Sequence, residues 1–411
     1  MNFNPVILSI PIYFLLIGIE LLIDRFTKKN IYRINDAVTN ISCGITQQIT
    51  GIFFKVLSVG AYQYLFENYA FLALEQTLWY WVVLFIGVDF LYYWAHRVSH
   101  EVNLFWGGHV VHHQSEDYNL SVALRQSTFQ VVWTFFYYIP LALLGFRTID
   151  FIVIMGFNLI YQFWIHTETI PKLGWFELIF NTPSHHRVHH GRNPKYIDRN
   201  HAGVFIIWDK LFGTFQVEEE RPTYGITTPI KSWNPVWVNI EHYVAMWRKL
   251  KKIHGFVDKL KFVFKKPGWL PKEMGGYQLA PEIELTTYSK YITYSQKKVN
   301  GYVLFQYIIT LVGTSFFLFF QEKFALHEKG IFAFIIILSI TNVGVLFEGK
   351  NWVKFLEIVR IITLSLSGFY FSFLYDWNLI ILTSSSIFAV ISLPWIYTIH
   401  FSNSPLNSIK S

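Results

Sequence analysis

The sequence predicts an all-α integral membrane protein built as a multi-span helical bundle. Of its 411 residues, 53% are hydrophobic and only 15% are charged, whereas about a quarter of the residues in a soluble domain are charged. Aromatic residues make up 19%, which suits apolar spans with amphipathic rings at the membrane interfaces. The single cysteine, Cys43, excludes an intramolecular disulfide and any site built from several cysteines. Function is indicated by the histidines, because 11 of the 15 lie between His96 and His201.

About nine stretches are expected to cross the membrane, since each approaches the roughly 20 apolar residues that span a hydrocarbon core of about 30 Å. The second stretch contains Gln47 and Gln48, and a re-entrant or interfacial pair of helices is the alternative there. The predicted spans are residues 5–23, 38–66, 78–95, 129–146, 150–165, 302–320, 331–347, 352–375 and 379–400.

The distribution of Lys and Arg predicts that the histidines face the cytosol. The loop at residues 166–301 carries 20 of the 34 Lys and Arg residues, whereas the opposite loops at 67–77 and 376–378 carry none. Because positively charged loops stay on the cytosolic side, the N-terminus is expected outside. A eukaryotic source would place such a protein in the endoplasmic reticulum, and a bacterial source would place it in the inner (plasma) membrane.

The same pattern divides the chain into four predicted parts: N-terminal spans (1–77), a histidine-bearing catalytic domain (78–216), a cytosolic or interfacial loop (217–301) and a four-span C-terminal bundle (302–411). Within the loop, residues 247–266 interleave basic and apolar side chains. This is typical of a helix that lies on anionic lipid, with a merely solvated helix as the alternative. No nucleic-acid partner is expected.

Three histidine boxes and one single histidine form the candidate site. His96 and His100 make an HxxxH box at the end of the third span, and two HxxHH boxes begin at His109 and His186. Residues at i, i+3 and i+4 share one face of a helix, so each box presents its imidazoles to one place. The predicted metal ligands are His96, His100, His109, His112, His113, His166, His185, His186, His189 and His190.

Imidazole donors favour iron, copper, zinc or nickel over magnesium or calcium. One ion takes about four to six ligands, so this many histidines predict two ions. A zinc hydrolase would use about three protein ligands and keep one position open, which the pattern exceeds, and two irons that activate oxygen fit best. A metal transporter is an alternative of another class, but its ionisable ligands would lie within the spans rather than at their ends.

Ligating imidazoles usually donate their other N–H to a carboxylate or carbonyl, which predicts a supporting set of residues. Asp89 lies in the third span seven residues before His96, and Gln162 lies four residues before His166, with Asn158 one turn earlier. Helix packing is the alternative for the two amides. Glu168 and Asp198 are further candidates, and His201 stays open between function and packing. The other histidines are assigned to packing or headgroup contact: His242, His254, His327 and His400.

At this point the boxes become recognisable. HxxxH, HxxHH and a later HxxHH between transmembrane helices resemble the fatty acid hydroxylase superfamily of membrane di-iron oxidases, which includes sterol desaturases and hydroxylases. The strings between the boxes are most similar to the alkylglycerol monooxygenase subgroup. These strings are YWAHRVSHE (93–101), SEDYNLS (115–121), ALRQS (123–127), YQFWIHTE (161–168), NTPSHHRVHHGRN (181–193) and IIWDKLFGTF (206–215).

The resemblance implies a reaction, its cofactors and its partners. It implies a monooxygenase with two iron ions that uses O₂ and tetrahydrobiopterin to hydroxylate the alkyl carbon next to the oxygen of an ether lipid. The product would then break into a fatty aldehyde and a glycerol derivative. The implied partners are an alkylglycerol or lyso-ether lipid and a pterin-regenerating reductase. A fatty acyl, carotenoid or sterol hydroxylase or desaturase with a separate protein electron donor is the alternative.

The family resemblance also draws attention to one carboxylate, Glu101, and to one position where the sequence differs from the family, His201. A pterin presents N–H donors that suit a carboxylate, and Glu101, directly after His100, is the candidate cofactor-binding residue. Glu116 and Asp117 are competing candidates, and a surface role is the alternative for Glu101. The departure is His201, which follows Asn200 where the family commonly has an aromatic residue; it would either add a ligand or alter the substrate pocket.

Overall fold

The computed structural model describes residues 5–283, 288–293, 297–350, 352–374 and 378–399. Within these ranges the regular structure is helical, with isolated bridges at Phe180–Phe205 and Gly191–Tyr224, so the all-α class is confirmed. The helices are α1 (Pro5–Thr27), α2 (Ile34–Tyr69), α3 (Leu78–Glu101), α4 (Asn103–His113), α5 (Leu120–Ala123), α6 (Val131–Leu143), α7 (Thr148–Trp164), α8 (Pro183–His189), α9 (Ile207–Leu211), α10 (Pro235–Leu250), α11 (Phe256–Phe264), α12 (Lys297–Phe320), α13 (Leu326–Glu348), α14 (Val353–Leu374) and α15 (Asn378–Thr398). Short 3₁₀ helices cover Gly174–Leu178, Pro194–Tyr196, Lys272–Met274 and Gln321–Lys323.

Five helical segments are long and apolar enough to cross a membrane. The bent pair Ile34–Phe54 and Val56–Tyr69, with an angle of 47° between its halves, would make a sixth. By the length and composition of these helices the chain is a multi-pass membrane protein, and nine spans and a cytosolic histidine face stay predictions. The predicted ends at Tyr375 and His400 lie outside the described residues. The five segments are Leu78–Glu101, Lys297–Lys323, Leu326–Glu348, Val353–Leu374 and Leu379–Thr398.

Helix α3 occupies the centre of the unit that carries the histidines. The helix begins where the Thr77 side chain accepts a hydrogen bond from the backbone N–H of Tyr80, which satisfies one of the amides left open at a helix start. It packs against α4, α6 and α7. The N-terminal half of α3 buries apolar side chains such as Leu84 and Val88 against α6. This packing fixes the position of the last two turns, where His96 and His100 lie.

The chain separates into two compact units. Met1–Ile230 and Asn239–Lys290 form the first, and Lys231–Val238 and Tyr291–Ser411 form the second. The four-part division made from the sequence stays a prediction. The second unit contains α12 to α15, in which α12 packs on α13, α13 on α14 and α14 on α15.

The basic segment of the long loop forms two helices instead of one. Helix α10 ends at Leu250, and α11 begins after Gly255, whose positive φ of 83° allows the turn. In α11, Phe262 is buried whereas Phe256 and Phe264 are exposed. One side of α11 thus packs within the first unit, where α11 contacts α4. A membrane-surface role for the other side stays a prediction.

Candidate metal centre

Nine of the ten predicted ligands come together in two buried groups. The first group is His96, His100, His109, His113 and His189, and the second group is His112, His166, His186 and His190. Within each group, one ligand atom per residue lies within 4.8 Å of all the others. All nine rings are buried.

Each HxxHH box divides its histidines between the two groups. Helix α8 begins with Pro183 in its first turn, where proline's fixed φ favours a helix, and it delivers His189 to the first group and His186 and His190 to the second. Helix α4 divides its box in the same way, with His112 in the second group. The two groups are therefore neighbours.

Neighbouring ring nitrogens lie at the spacing that two adjacent ligands of one ion require. In the first group His109 Nε2 lies 2.9 Å from His96 Nε2 and 3.1 Å from His113 Nε2. In the second group His166 Nε2 lies 3.1 and 3.0 Å from its two neighbours. With metal–nitrogen bonds of about 2.1 Å, ligands at right angles would lie about 3 Å apart. Each group therefore fits one divalent ion.

Main-chain carbonyls fix the orientation of four of these rings. Because a carbonyl can only accept, each ring carries its proton on Nδ1 and turns the lone pair of Nε2 inward, as metal-binding histidines do. In each pair the ring Nδ1–H donates to a main-chain carbonyl oxygen: His96 to that of His201 (2.7 Å), His189 to that of Arg199 (2.9 Å), His112 to that of Arg125 (2.9 Å) and His166 to that of Gln162 (2.6 Å).

The chemistry of the donor set fits bound metal. Among the described residues, Nε2 of His100, His189 and His190 is buried without a hydrogen-bond partner, and each such orphan would cost about 1–3 kcal/mol. Desolvation lowers the pKa of His112 to about 4 and that of His186 well below its ordinary 6.5. The imidazoles are therefore neutral at pH 7 with lone pairs available, and iron is among the metals that such donors bind.

His185 is the predicted ligand that the structure leaves outside both groups. Residues 186, 189 and 190 share one face of α8, whereas His185 points about 100° away from His186. Its ring packs against Phe215 at 5.4 Å between centroids. The structure thus brings three of the four histidines at positions 185–190 into the groups, and a ligand role for His185 stays a prediction.

The supporting residues predicted from spacing have different roles. Gln162 orients His166 through its main-chain carbonyl, while its side-chain amide donates to Asn158 and its carbonyl accepts the Tyr92 hydroxyl. Glu168 pairs with Arg221 at 2.8 Å. Asp89 accepts hydrogen bonds from the backbone that follows His201 and not from a histidine ring.

His201 lies beside the first group without joining it. Its buried ring lies 4.9 Å from His100 and 5.6 Å from both His96 and His189, measured between centroids. Sequence reasoning missed Asp209, a buried carboxylate that accepts the backbone N–H of His201. Desolvation raises the pKa of Asp209 to about 6. The sequence feature that could have indicated Asp209 is its position within the IIWDKLFGTF string (206–215).

The histidine-bearing part of the chain matches a known protein family. Residues 81–214 match the fatty acid hydroxylase family model, a range that contains all nine grouped histidines. The alkylglycerol monooxygenase of Homo sapiens is 40% identical over 363 residues, covering 85% of this chain and 79% of the human protein. This chain belongs to the alkylglycerol monooxygenase family. The Xenopus tropicalis enzyme is equally similar, at 40% over 359 residues with 85% and 78% covered.

A second kind of relative matches a shorter part of the chain. An ornithine lipid hydroxylase of Rhizobium tropici is 32% identical over 146 residues, or 34% of this chain and 43% of that protein. No solved structure matches the chain.

In this member of the alkylglycerol monooxygenase family, a cavity of about 550 Å³ adjoins both histidine groups. Its wall includes His100, His113 and His189 of the first group and His190 of the second. The remaining lining mixes apolar with charged or polar side chains, among them Trp106, Val110, Ile226, Phe262, Trp269, Arg192, Asp198, Glu241 and Lys249. Such a mixed lining suits a molecule with both an apolar chain and a polar head.

The predicted pterin-binding carboxylate lies next to this cavity and not in it. Glu101 lines a neighbouring cavity of about 480 Å³, which shares Trp269 and Tyr277 with the first. It forms ion pairs with Arg97 (3.3 Å) and Lys266 (3.4 Å). The competing carboxylates lie elsewhere in the unit, where Asp117 pairs with Arg33 and Lys290 and Glu116 accepts from Tyr288.

Proposed function

We propose that this chain is a membrane di-iron monooxygenase that cleaves the O-alkyl bond of alkylglycerols and lyso-ether lipids. One atom of O₂ enters the C–H bond next to the ether oxygen, the other leaves as water, and tetrahydrobiopterin supplies two electrons. The resulting hemiacetal breaks its C–O bond, gives its hydroxyl proton to the glycerol oxygen and leaves a fatty aldehyde. The observation that carries the proposal is the pairing of two buried all-histidine groups with an amphipathic cavity in a chain 40% identical to a named alkylglycerol monooxygenase.

The roles of the chain's own residues follow from the geometry. The nine grouped histidines would hold two iron ions, which when bound supply the redox chemistry that activates O₂. Carbonyls behind four of the rings keep Nδ1 protonated there, so that Nε2 faces the ion. Apolar cavity residues such as Trp106 and Phe262 would exclude water from the alkyl chain, and the charged residues Arg192 and Lys249 would meet the polar head.

The cofactor-binding role of Glu101 belongs to this proposal. Its carboxylate lies beside Trp269 and Tyr277, whose rings suit stacking on a planar pterin. Arg97 and Lys266 hold the carboxylate in place. A separate reductase that regenerates the pterin would act from the same side, which the positive-charge distribution predicts to be the cytosol.

The test uses membranes that contain the full chain, incubated with a 1-O-alkylglycerol and O₂, with tetrahydrobiopterin added or omitted. We expect fatty aldehyde only when pterin is present, and none from membranes that contain the His186→Asn chain. Aldehyde that forms equally without pterin would favour a protein electron donor. A hydroxylated lipid that keeps its ether bond, or no product at all, would contradict the proposed cleavage.

A further inference from the structure

A short segment behind the first histidine group touches three of its five members. This segment, residues 198–202, is called the backing segment. The His201 carbonyl accepts from His96 Nδ1 at 2.7 Å, and the Arg199 carbonyl accepts from His189 Nδ1 at 2.9 Å. The Asp198 carboxylate lies 3.6 Å from His100 Nδ1. The orientation of most of the first group thus depends on where this backbone lies.

The backing segment adopts a conformation that its surroundings must hold. Asp198 and Asn200 both have φ of 55°, in the left-handed region that costs most residues other than glycine free energy. The Asn200 side chain donates to the carbonyls of His185 (3.0 Å) and Gln216 (2.8 Å). These bonds tie the segment to α8 and to the loop that follows α9.

Asp209 fixes the C-terminal end of the backing segment. Its Oδ1 accepts the backbone N–H of His201 at 2.8 Å, and its Oδ2 accepts that of Ala202 at 2.8 Å. The Thr214 hydroxyl also donates to Oδ1, at 2.6 Å. The Asp209 side chain is fully buried and belongs to neither histidine group. It therefore acts on the rings through the backing segment.

We propose that Asp209 is a positioning residue for the ion of the first histidine group, and that it acts by fixing the backing segment. The effect is selective, because the second group is supported elsewhere: His112 donates to Arg125 and His166 to Gln162. An amide in place of the Asp209 carboxylate turns one acceptor into a donor that faces a backbone N–H. The carbonyls of Arg199 and His201 then lose their fixed positions. The inference rests on the proposed function only in taking the histidine groups to be a two-ion centre.

The test measures metal retention in the purified full chain loaded anaerobically with Fe²⁺. Asp209→Asn is compared with wild type and with Asp150→Asn, a matched control, since Asp150 is also a buried carboxylate that accepts from Tyr80 and Gln76. Iron per chain is followed against increasing concentrations of a ferrous chelator, and Mössbauer spectra identify the ion that leaves. We expect Asp209→Asn to lose one of two ions at about 10- to 100-fold lower chelator concentration, the usual effect of removing an outer partner.

A second variant, Asp198→Asn, and the aldehyde assay of the wild-type chain complete the test. Asp198→Asn removes the negative charge that faces His100 Nδ1 and should weaken the same ion, with the other ion unchanged. If Asp209→Asn does not yield folded protein, this second variant decides. Retention of both ions as in Asp150→Asn, or equal weakening of both, would overturn the inference. A wild-type chain that binds two ions but makes no aldehyde would contradict the proposed function and leave the metal comparison intact.

Discussion

The Asp89 carboxylate of α3 accepts the backbone N–H of Val204 at 2.7 Å. It also accepts from the N–H of Phe205 (3.0 Å), the Trp208 indole (2.9 Å) and the Asn158 amide (2.8 Å). A carboxylate buried within a membrane span thereby satisfies four donors and ties α3 to the chain just after the backing segment. Its role is to hold backbone, not to contact a ligand ring.

We expect Asp89→Asn to destabilise the first unit by about 3 kcal/mol or more, because the amide can present only one acceptor oxygen to donors that are buried. Thermal unfolding of the protein in detergent, followed by tryptophan fluorescence, measures the change. Asp258→Asn is the control, since Asp258 pairs with Lys261 at the surface and its replacement should change stability by less than about 0.5 kcal/mol. Equal unfolding temperatures for the two variants would contradict this role.

Two adjacent histidines should differ sharply in their effect on metal content. His186→Asn removes a member of the second group, so we expect loss of one iron and of the oxygenase activity. His185→Asn changes a ring that packs on Phe215, and iron content should stay at the wild-type value. Iron analysis of both purified variants checks this pair, and loss of iron from His185→Asn would restore the ligand role predicted from the sequence.

Glu101 and Glu241 offer two places for the pterin contact. If Glu101 binds the pterin, Glu101→Gln should raise the KM for tetrahydrobiopterin about 10-fold or more, because a charge-assisted hydrogen bond contributes about 1.5–3 kcal/mol, while the KM for the lipid changes little. Glu241→Gln, in the 550 Å³ cavity, is the comparison. If the KM for tetrahydrobiopterin rises only in Glu241→Gln, the pterin binds in the 550 Å³ cavity beside Glu241 and not beside Glu101.

The second unit contains a buried ion pair whose disruption should be costly. Arg360 donates to both carboxylate oxygens of Glu357 at 2.7 Å, Tyr302 and Asn342 also donate to Glu357, and both charged side chains are at most 1% exposed. We expect Arg360→Met to destabilise the unit by about 3–5 kcal/mol, because it leaves a buried charge unpaired. The double variant Glu357→Gln/Arg360→Met should recover most of that loss in an SDS unfolding titration. A double variant as unstable as the single one would contradict the pair's role.

The metal-free chain should lose stability as the pH falls below about 6.5. Burial lowers the pKa of His112 to about 4 and lowers the pKa of His186 and His190 well below the ordinary 6.5. Between the folded-state pKa values and 6.5, the unfolded chain therefore binds more protons than the folded chain, and stability rises with pH. Unfolding temperatures of the iron-free protein between pH 5 and 7.5 measure the slope. His186→Asn should reduce the slope relative to the wild-type chain. A flat profile would contradict the neutral state of the buried rings.

Local periodicity explains why most of the site could be predicted. The i, i+3, i+4 spacing of His186, His189 and His190 puts these three side chains on one helical face. The same spacing rule puts His185 on a different face. The partner of His96 could not be predicted, because it is a main-chain carbonyl that any residue at position 201 would supply. The number of spans was also not fixed by hydropathy, since α6 and α7 are apolar but short.

The sequence by itself determined the all-helical membrane class, the histidine-rich character of the candidate site and the family, since each depends on composition, spacing or a local string. Only the tertiary structure decided how the two HxxHH boxes share their histidines between the groups and which backbone supports each ring. Part of this support comes from contacts between segments more than 80 residues apart, such as His96 with His201 and Asp89 with Val204. Local helical periodicity cannot encode such contacts, because they arise from the packing of α3 against the elements around it.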